Sequence, residues 1–292
     1  MIRKKLCFMG MVMFMTASLL TACGGDKKKD NAASNNAASP DNTMEAAGNR
    51  TEYMEKETDA SEFEYKEEDG RIVLTVHTGS STDVVIPAQI DGKDVVAIGR
   101  QCFKNESNLT RVVCPQTLIT IGDEAFINCT SLSEISFNEG LQEIGELAFT
   151  PCYSLEKVDF PSTLTALGYD SFGLSGLKEV TIPDTLSEIP GGCFCSTDIT
   201  TITIPSNIKT VGEGAFQCCS SLEKVVMEEG VEQIDAKAFA QCESLKEINI
   251  PQSVTEMGES IFWATGNVVL TVEPGSYAEA YAKENKLAYV NP

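Results

Sequence analysis

One histidine and one tryptophan occur in 292 residues. A single imidazole cannot build a multi-histidine metal centre, and no C-x-x-C pair is present to hold zinc through sulfur. Basic residues are scarce too: 22 Lys and Arg stand against 43 Asp and Glu, a formal charge of −21. Without clustered cations the chain has no general attraction for nucleic-acid phosphates. Its acidity favours solubility and weakens binding to anionic surfaces. Beyond residue 22 no apolar run approaches the roughly 20 residues a membrane-spanning helix needs. Nucleophile-elbow, P-loop, zinc-binding and calcium-loop motifs are missing, and no carboxylate pair stands out as catalytic. The reading is of a non-enzymatic chain with no catalytic residue, no cofactor and no metal.

What is present begins with an address. Arg3, Lys4 and Lys5 precede an apolar run from Leu6 to Leu20, and a polar segment follows at once. The run is too short to span a bilayer, so residues 1–22 read as a secretory signal. Its end, Leu20-Thr21-Ala22-Cys23, resembles the bacterial lipobox, in which the cysteine is lipidated and becomes the mature N-terminus. That resemblance implies lipid attachment at Cys23 and a chain anchored to the bacterial membrane, extracytoplasmic and surface-exposed. An ordinary cleaved signal with a coincidental cysteine is the alternative. Residues 23–62 are rich in Ala, Asn, Asp and Ser and cannot bury enough apolar surface to fold alone. They read as a flexible tether with a reach of about 35 Å. The folded domain is expected over 63–292, where the 42% apolar content of the chain is enough for a core.

That domain is periodic. Phenylalanine recurs at 103, 126, 149, 172, 194, 216, 239 and 262, in steps of 22 or 23 residues. A near-fixed period of this size marks a solenoid whose units bury their apolar faces against one another. One unit reads L-x-x-V-x-I-P, then x-x-L-x-x-I-G, then x-x-A-F-x-x-C-x-S. Alternating apolar positions in the first part predict strands at Ile135–Phe137, Val158–Phe160, Val180–Ile182, Ile202–Ile204, Val225–Met227 and Ile248–Ile250. Pro161, Pro183, Pro205 and Pro251 end them, because proline cannot continue a ladder. The L-x-x-I-G segments are expected to form a second, shorter sheet. Glycines 99, 122, 145, 168, 212 and 258 sit four residues before each phenylalanine and are read as positive-φ positions. The unit at 181–202 carries Pro190 in that place and is expected to be irregular.

This pattern, over roughly residues 84–270, resembles the BspA-like leucine-rich repeat family. The resemblance implies a β-rich, right-handed leucine-rich repeat of about eight units and a surface-displayed binding or adhesion module. It implies no reaction. The segment 272–290 is similar to the tail that closes many members, and Ser276 and Glu279 make a capping box before a short helix. At the other end, apolar residues flanking Asp69-Gly70 read as a hairpin cap.

Most cysteines fall on repeat positions. Cys129, Cys152, Cys219 and Cys242 each lie three residues after a phenylalanine and are read as buried small hydrophobes. Cys195 and Cys218 fall outside the pattern and are candidates for a disulfide. His77, with no partner in view, is read as a surface residue, and Trp263 as packing against the terminal cap. The candidate binding face is a column just before each first strand residue: Arg111, Glu134, Lys157, Glu179, Thr201, Lys224 and Glu247. Its opposite charges alternate between neighbouring units, as a charge ladder that holds register would require. The outward column Ser136, Asp159, Thr181, Thr203, Val226 and Asn249 completes a polar, mixed-sign surface suited to a protein partner of host or bacterial origin. A glycan-binding or solute-capturing lipoprotein is the alternative, disfavoured because the outward columns hold almost no aromatics. An enzyme or a structural spacer is the third class.

Overall fold

The eight recurring phenylalanines meet at one corner of successive turns. A computed structural model describes residues 55–292; the signal segment, Cys23 and most of the tether lie outside the described residues. The chain forms a β-solenoid of about ten turns. Phe103, Phe126, Phe149, Phe172, Phe194, Phe216 and Phe239 are fully buried, and Phe262 nearly so. Their rings stack face to face. Centroid spacings are 4.8, 5.0 and 4.9 Å over the first three steps, then 6.1, 5.5, 5.4 and 6.2 Å. The shorter values match the spacing of paired strands.

The stack is fixed by backbone hydrogen bonds at the corner. From Phe103 to Phe239 the phenylalanine amide and the one two residues before it donate to the next turn, and so does the amide two residues after it except at Pro151, which has no hydrogen. Phe126 N bonds Ala148 O at 2.8 Å, Glu124 N bonds Glu146 O at 2.7 Å, and Asn128 N bonds Thr150 O at 3.3 Å. Intervening amides close short turns within the unit. This alternation needs left-handed backbone on both flanks of the ring. Gln101, Glu124, Leu147, Asp170, Gly192, Gly214, Lys237 and Ser260 all have φ between 56° and 66°. Asn105, Asn128, Leu174, Ser196, Cys218, Gln241 and Ala264 repeat the conformation two residues after the ring.

The repeat glycines therefore play a different role from the one expected. None of Gly99, Gly122, Gly145, Gly168, Gly212 and Gly258 has positive φ. A Cβ at Gly145 would lie 2.5 Å from Asp123 N, and one at Gly168 or Gly258 2.3 Å from the backbone N of the preceding turn. Glycine is required because adjacent turns touch through their backbones there, not because of torsion.

The L-x-x-I-G segments form the expected second ladder of two-residue strands, in two pieces. Lys93–Ile98, Thr120–Ile121, Glu143–Ile144 and Ala166–Leu167 continue from the N-terminal hairpin. Glu188–Ile189, Thr210–Val211, Gln233–Ile234 and Glu256–Met257 form a separate sheet. The break falls at the unit singled out by Pro190. In other turns the amide at the glycine place bonds back to the previous turn, as Gly168 N to Ile144 O at 2.7 Å and Gly212 N to Ile189 O at 2.8 Å. Proline has no such hydrogen. The ring spacing widens at the same step, Phe172 to Phe194.

The first strand of each unit also forms two sheets rather than one. Asp83–Val85, Arg111–Val113 and Glu134–Ser136 make one; Thr201–Ile204, Lys224–Met227, Glu247–Ile250, Val269–Val272 and Ala288–Val290 make the other. The predicted strands Val158–Phe160 and Val180–Ile182 are not paired. Phe137 and Phe160 stand where this gap begins. They occupy the inward position held elsewhere by Cys, Ile or Met, lean edge-on against Phe149 and Phe172, and keep 6.3 Å between their own rings. The extra pair of rings coincides with the stretch in which pairing stops.

Both caps form. Phe63–Glu68 pairs antiparallel with Arg71–His77 around Asp69 (φ 49°) and Gly70 (φ 75°). Residues 55–62, which composition places in the tether, bond to the first turn through Thr58 N to Val85 O at 2.8 Å. At the far end Ser276 accepts from Glu279 N at 3.1 Å and starts the helix Tyr277–Glu284, while Glu279 reaches Gly275 N at 2.9 Å. Ala278 and Ala282 seat the helix on the core.

Phe149→Ala and Phe216→Ala each remove a ring from the middle of this stack. Each is expected to cost about 3–5 kcal/mol, as large core truncations do. Denaturant titration checks it, and a loss below about 1 kcal/mol would mean the ring is not core.

Candidate binding face

The proposed columns lie on the side that carries the first strands. Register places Arg111 beside Asp83 and Glu134, and Lys224 between Thr201 and Glu247. The alternating charges are in contact. Arg111 bonds Glu134 at 3.0 Å, Asp83 at 3.0 Å and Glu55 at 2.8 Å. Lys224 meets Glu247 at 2.6 Å, and Lys157 lies 3.4 Å from Asp159 and 3.7 Å from Glu179. Glu55, then Glu134, hold the Arg111 guanidinium above its usual range, and Asp159 does most to raise Lys157. Ser136 is half-buried, and Thr181 and Thr203 are exposed. Asn249 turns back on the sheet, accepting from Met227 N at 3.0 Å and donating to Met227 O at 2.6 Å.

A second row of the same kind runs one residue earlier. Lys178 pairs with Glu156 at 2.6 Å and Lys246 with Glu223 at 2.8 Å. Sequence reasoning missed it, although the same alternation across units was legible there. The surface is shallow. One open polar depression is lined by Lys56, Glu57, Thr58, Asp59, Glu62 and Ser81.

Two single residues differ from expectation. His77 is buried, not on the surface. Its ring lies 5.0 Å from Phe103 and 5.2 Å from Phe63, so it starts the aromatic stack, and Nδ1 meets Glu106 at 2.9 Å. Folding of the hairpin over the first turn brings these groups together, and no local motif announces it. Trp263 remains 59% exposed instead of packing under the cap. The ring is left outside because Phe262, not Trp263, takes the inward place.

The register cysteines are buried thiols. Cys129, Cys219 and Cys242 donate to the carbonyls of Phe103, Phe194 and Phe216 at 3.0, 3.0 and 3.1 Å. Burial pushes Cys129 and Cys193 up to about 12. Cys195 and Cys218 are thiols as well, half-buried, with Ser196 Oγ 3.6 Å from the first and Gln241 Oε1 3.3 Å from the second. Among the described residues no cluster of His, Cys, Asp and Glu is placed to hold a metal, and no helix is long and apolar enough to cross a membrane.

Short strands, a repeat of 22 or 23 residues and a continuous stacked core define a leucine-rich repeat scaffold. The chain belongs to the BspA type leucine rich repeat family, whose model matches in six copies across residues 96–223 and 148–269. A leucine rich repeat protein of T. pallidum is similar at 28% identity and a TM-score of 0.56, over 81% of this chain and 98% of that one. A leucine rich cell surface protein of Faecalibacterium prausnitzii shares the fold at 23% identity and a TM-score of 0.52, over 74% of this chain and 75% of that one. Among curated proteins, none matches.

Among the described residues, Asp170 is a half-buried carboxylate without a charged partner. Burial raises its carboxyl to about 6, well above the usual carboxylate range. A raised acid favours the protonated form in the fold, so stability is gained as pH falls from 6 towards 4 and lost as it rises. The ionised group costs on the order of 2–3 kcal/mol at neutral pH. Asp170→Asn keeps a residue type that tolerates left-handed backbone. It is expected to stabilise the protein at pH 7.5 and to have little effect at pH 4, as read by denaturant titration at both pH values.

Proposed function

We propose that this chain is a lipid-anchored bacterial surface protein that binds a protein partner through the paired-charge side of its solenoid. The observation that carries the reading is the double row of alternating Lys, Arg, Glu and Asp across successive turns. It offers a broad, mixed-sign, hydrogen-bonding surface with no enclosed pocket beneath it. Such a surface suits a protein with a complementary pattern better than a small apolar ligand or a polyanion. Membership in a repeat family and the surface location named for the Faecalibacterium prausnitzii protein support display outside the cell. A glycan-binding role would draw on exposed Tyr153 and Trp263, but these sit five turns apart and make no single platform.

A pull-down from host matrix and cell extracts, run beside a glycan array, separates the two readings. Reversing both Lys157 and Lys224 to Glu is expected to weaken capture of the protein partner while leaving the melting temperature nearly unchanged. Unchanged capture with a lowered melting temperature would make the rows structural only. For the anchor, Cys23→Ala is expected to abolish incorporation of labelled fatty acid and to release the chain from the membrane fraction. Retention of label would place the lipid elsewhere.

A further inference from the structure

Nine cysteines lie among the described residues, and seven are buried within the stack. Cys195 and Cys218 alone are half-buried and outside the repeat register. They come from adjacent turns, one residue after Phe194 and two after Phe216. Corner bonds set the distance between these turns: Ser196 N donates to Gln217 O at 2.7 Å. Left-handed backbone at Cys218 (φ 61°) belongs to the same corner pattern. Corner register sets Cys195 level with Gln217 and one place from Cys218, and the Cys195 sulfur lies 3.6 Å from Ser196 Oγ beside that corner.

We propose that Cys195 and Cys218 form a thiol–disulfide exchange site that takes a low-molecular-weight disulfide as co-reactant and closes into a disulfide joining two adjacent turns. Cys218 is the attacking sulfur, because it lies nearer the surface. Its thiolate attacks one sulfur of the small disulfide, R–S–S–R; the S–S bond breaks, and R–S⁻ leaves and takes up a proton. Cys195 then gives up its proton and attacks the Cys218 sulfur of the mixed disulfide, releasing a second R–S⁻. The protein loses two electrons and two protons as two thiols become one disulfide. The small disulfide gains them as two R–SH molecules. No metal or further reagent is needed.

The surroundings favour this division of labour. The hydrogen bond from Cys195 lowers Cys218 to about 7, with Ser196 adding to the effect and burial and Glu243 opposing it. The same bond raises Cys195, helped by burial and by Asp170. Opposing the lowering of Cys218, its thiol donates to Gln241 Oε1 at 3.3 Å, a bond that is lost on ionisation. A thiolate present at neutral pH beside a protonated partner is the arrangement that exchange chemistry requires. The register cysteines, buried among backbone carbonyls and held protonated, do not share it.

The test uses the reduced full chain and glutathione disulfide. Peptide mapping by mass spectrometry is expected to recover a Cys195–Cys218 cross-link, with two thiols released per protein. Cys195→Ser is expected to stall at a glutathione adduct on Cys218. Cys218→Ser is expected to slow the first thiol release at least tenfold. Alkylation of Cys218 in the reduced wild type should follow a midpoint near pH 7. The proposal is overturned if the wild type stops at a stable mixed adduct, or if Cys193 or Cys219 reacts as fast as Cys218. Undiminished release from Cys218→Ser overturns it too. The cross-link measurement on the wild type decides the matter even if a variant fails to fold.

Discussion

Everything in this solenoid depends on how peptide groups meet at the phenylalanine corner. Three amides per turn, or two where Pro151 intervenes, point along the axis and donate to the next turn. They can do so only if the residues flanking the ring adopt left-handed backbone, including Leu147 and Leu174, which pay for it sterically. The aromatic stack holds those bonds away from water, and the bonds hold the rings at stacking distance. Glycine four residues earlier lets the neighbouring backbones close to contact. The devices reinforce one another, and the corner bonds persist where Pro190 or Asp235 stands in the glycine place.

The periodic features were legible and the local ones less so. Phenylalanine spacing announced the stack, proline the strand ends, and Asp69-Gly70 the hairpin. Pro190 marked the discontinuity because a missing hydrogen is a property of the residue itself. The glycines were assigned the wrong cause, since a contact between backbones 22 or 23 residues apart leaves the same residue type as a positive torsion. Left-handed positions were hidden because Gln, Leu, Lys, Ser and Ala fill them; only assembly forces that geometry. The pairing lost at Val158–Phe160 coincides with the bulk of Phe137 and Phe160, residues that look ideal for a strand when read singly, while the loss at Val180–Ile182 has no such cause. On the candidate face the alternation of charge was visible, but which groups remain unsatisfied was not. Asn249 reads as an outward amide and is engaged with its own sheet.

The paired-charge rows have two consequences that need separating. Within the chain, each Lys or Arg gains a carboxylate neighbour from the adjacent turn, which favours one register over a slip by one unit. Toward a partner, the same rows present both signs at short intervals. Such a surface rejects a uniformly charged ligand and rewards one with a matching alternation. Register and recognition therefore draw on the same side chains, while overall stability gains little from exposed pairs.

Mechanically, the solenoid is not uniform along its axis. Between the turns of Phe172 and Phe194 the corner keeps its three bonds at 3.0, 3.0 and 2.8 Å, and the strand side keeps Thr200 N to Lys178 O at 3.4 Å. The second ladder is interrupted there at Pro190. Farther along, the turns of Phe216 and Phe239 are joined on all three sides. A tensile load applied along the stack would concentrate at the first of these boundaries. The protein would part there into two blocks before either block unravels, so one imino acid sets the point of rupture.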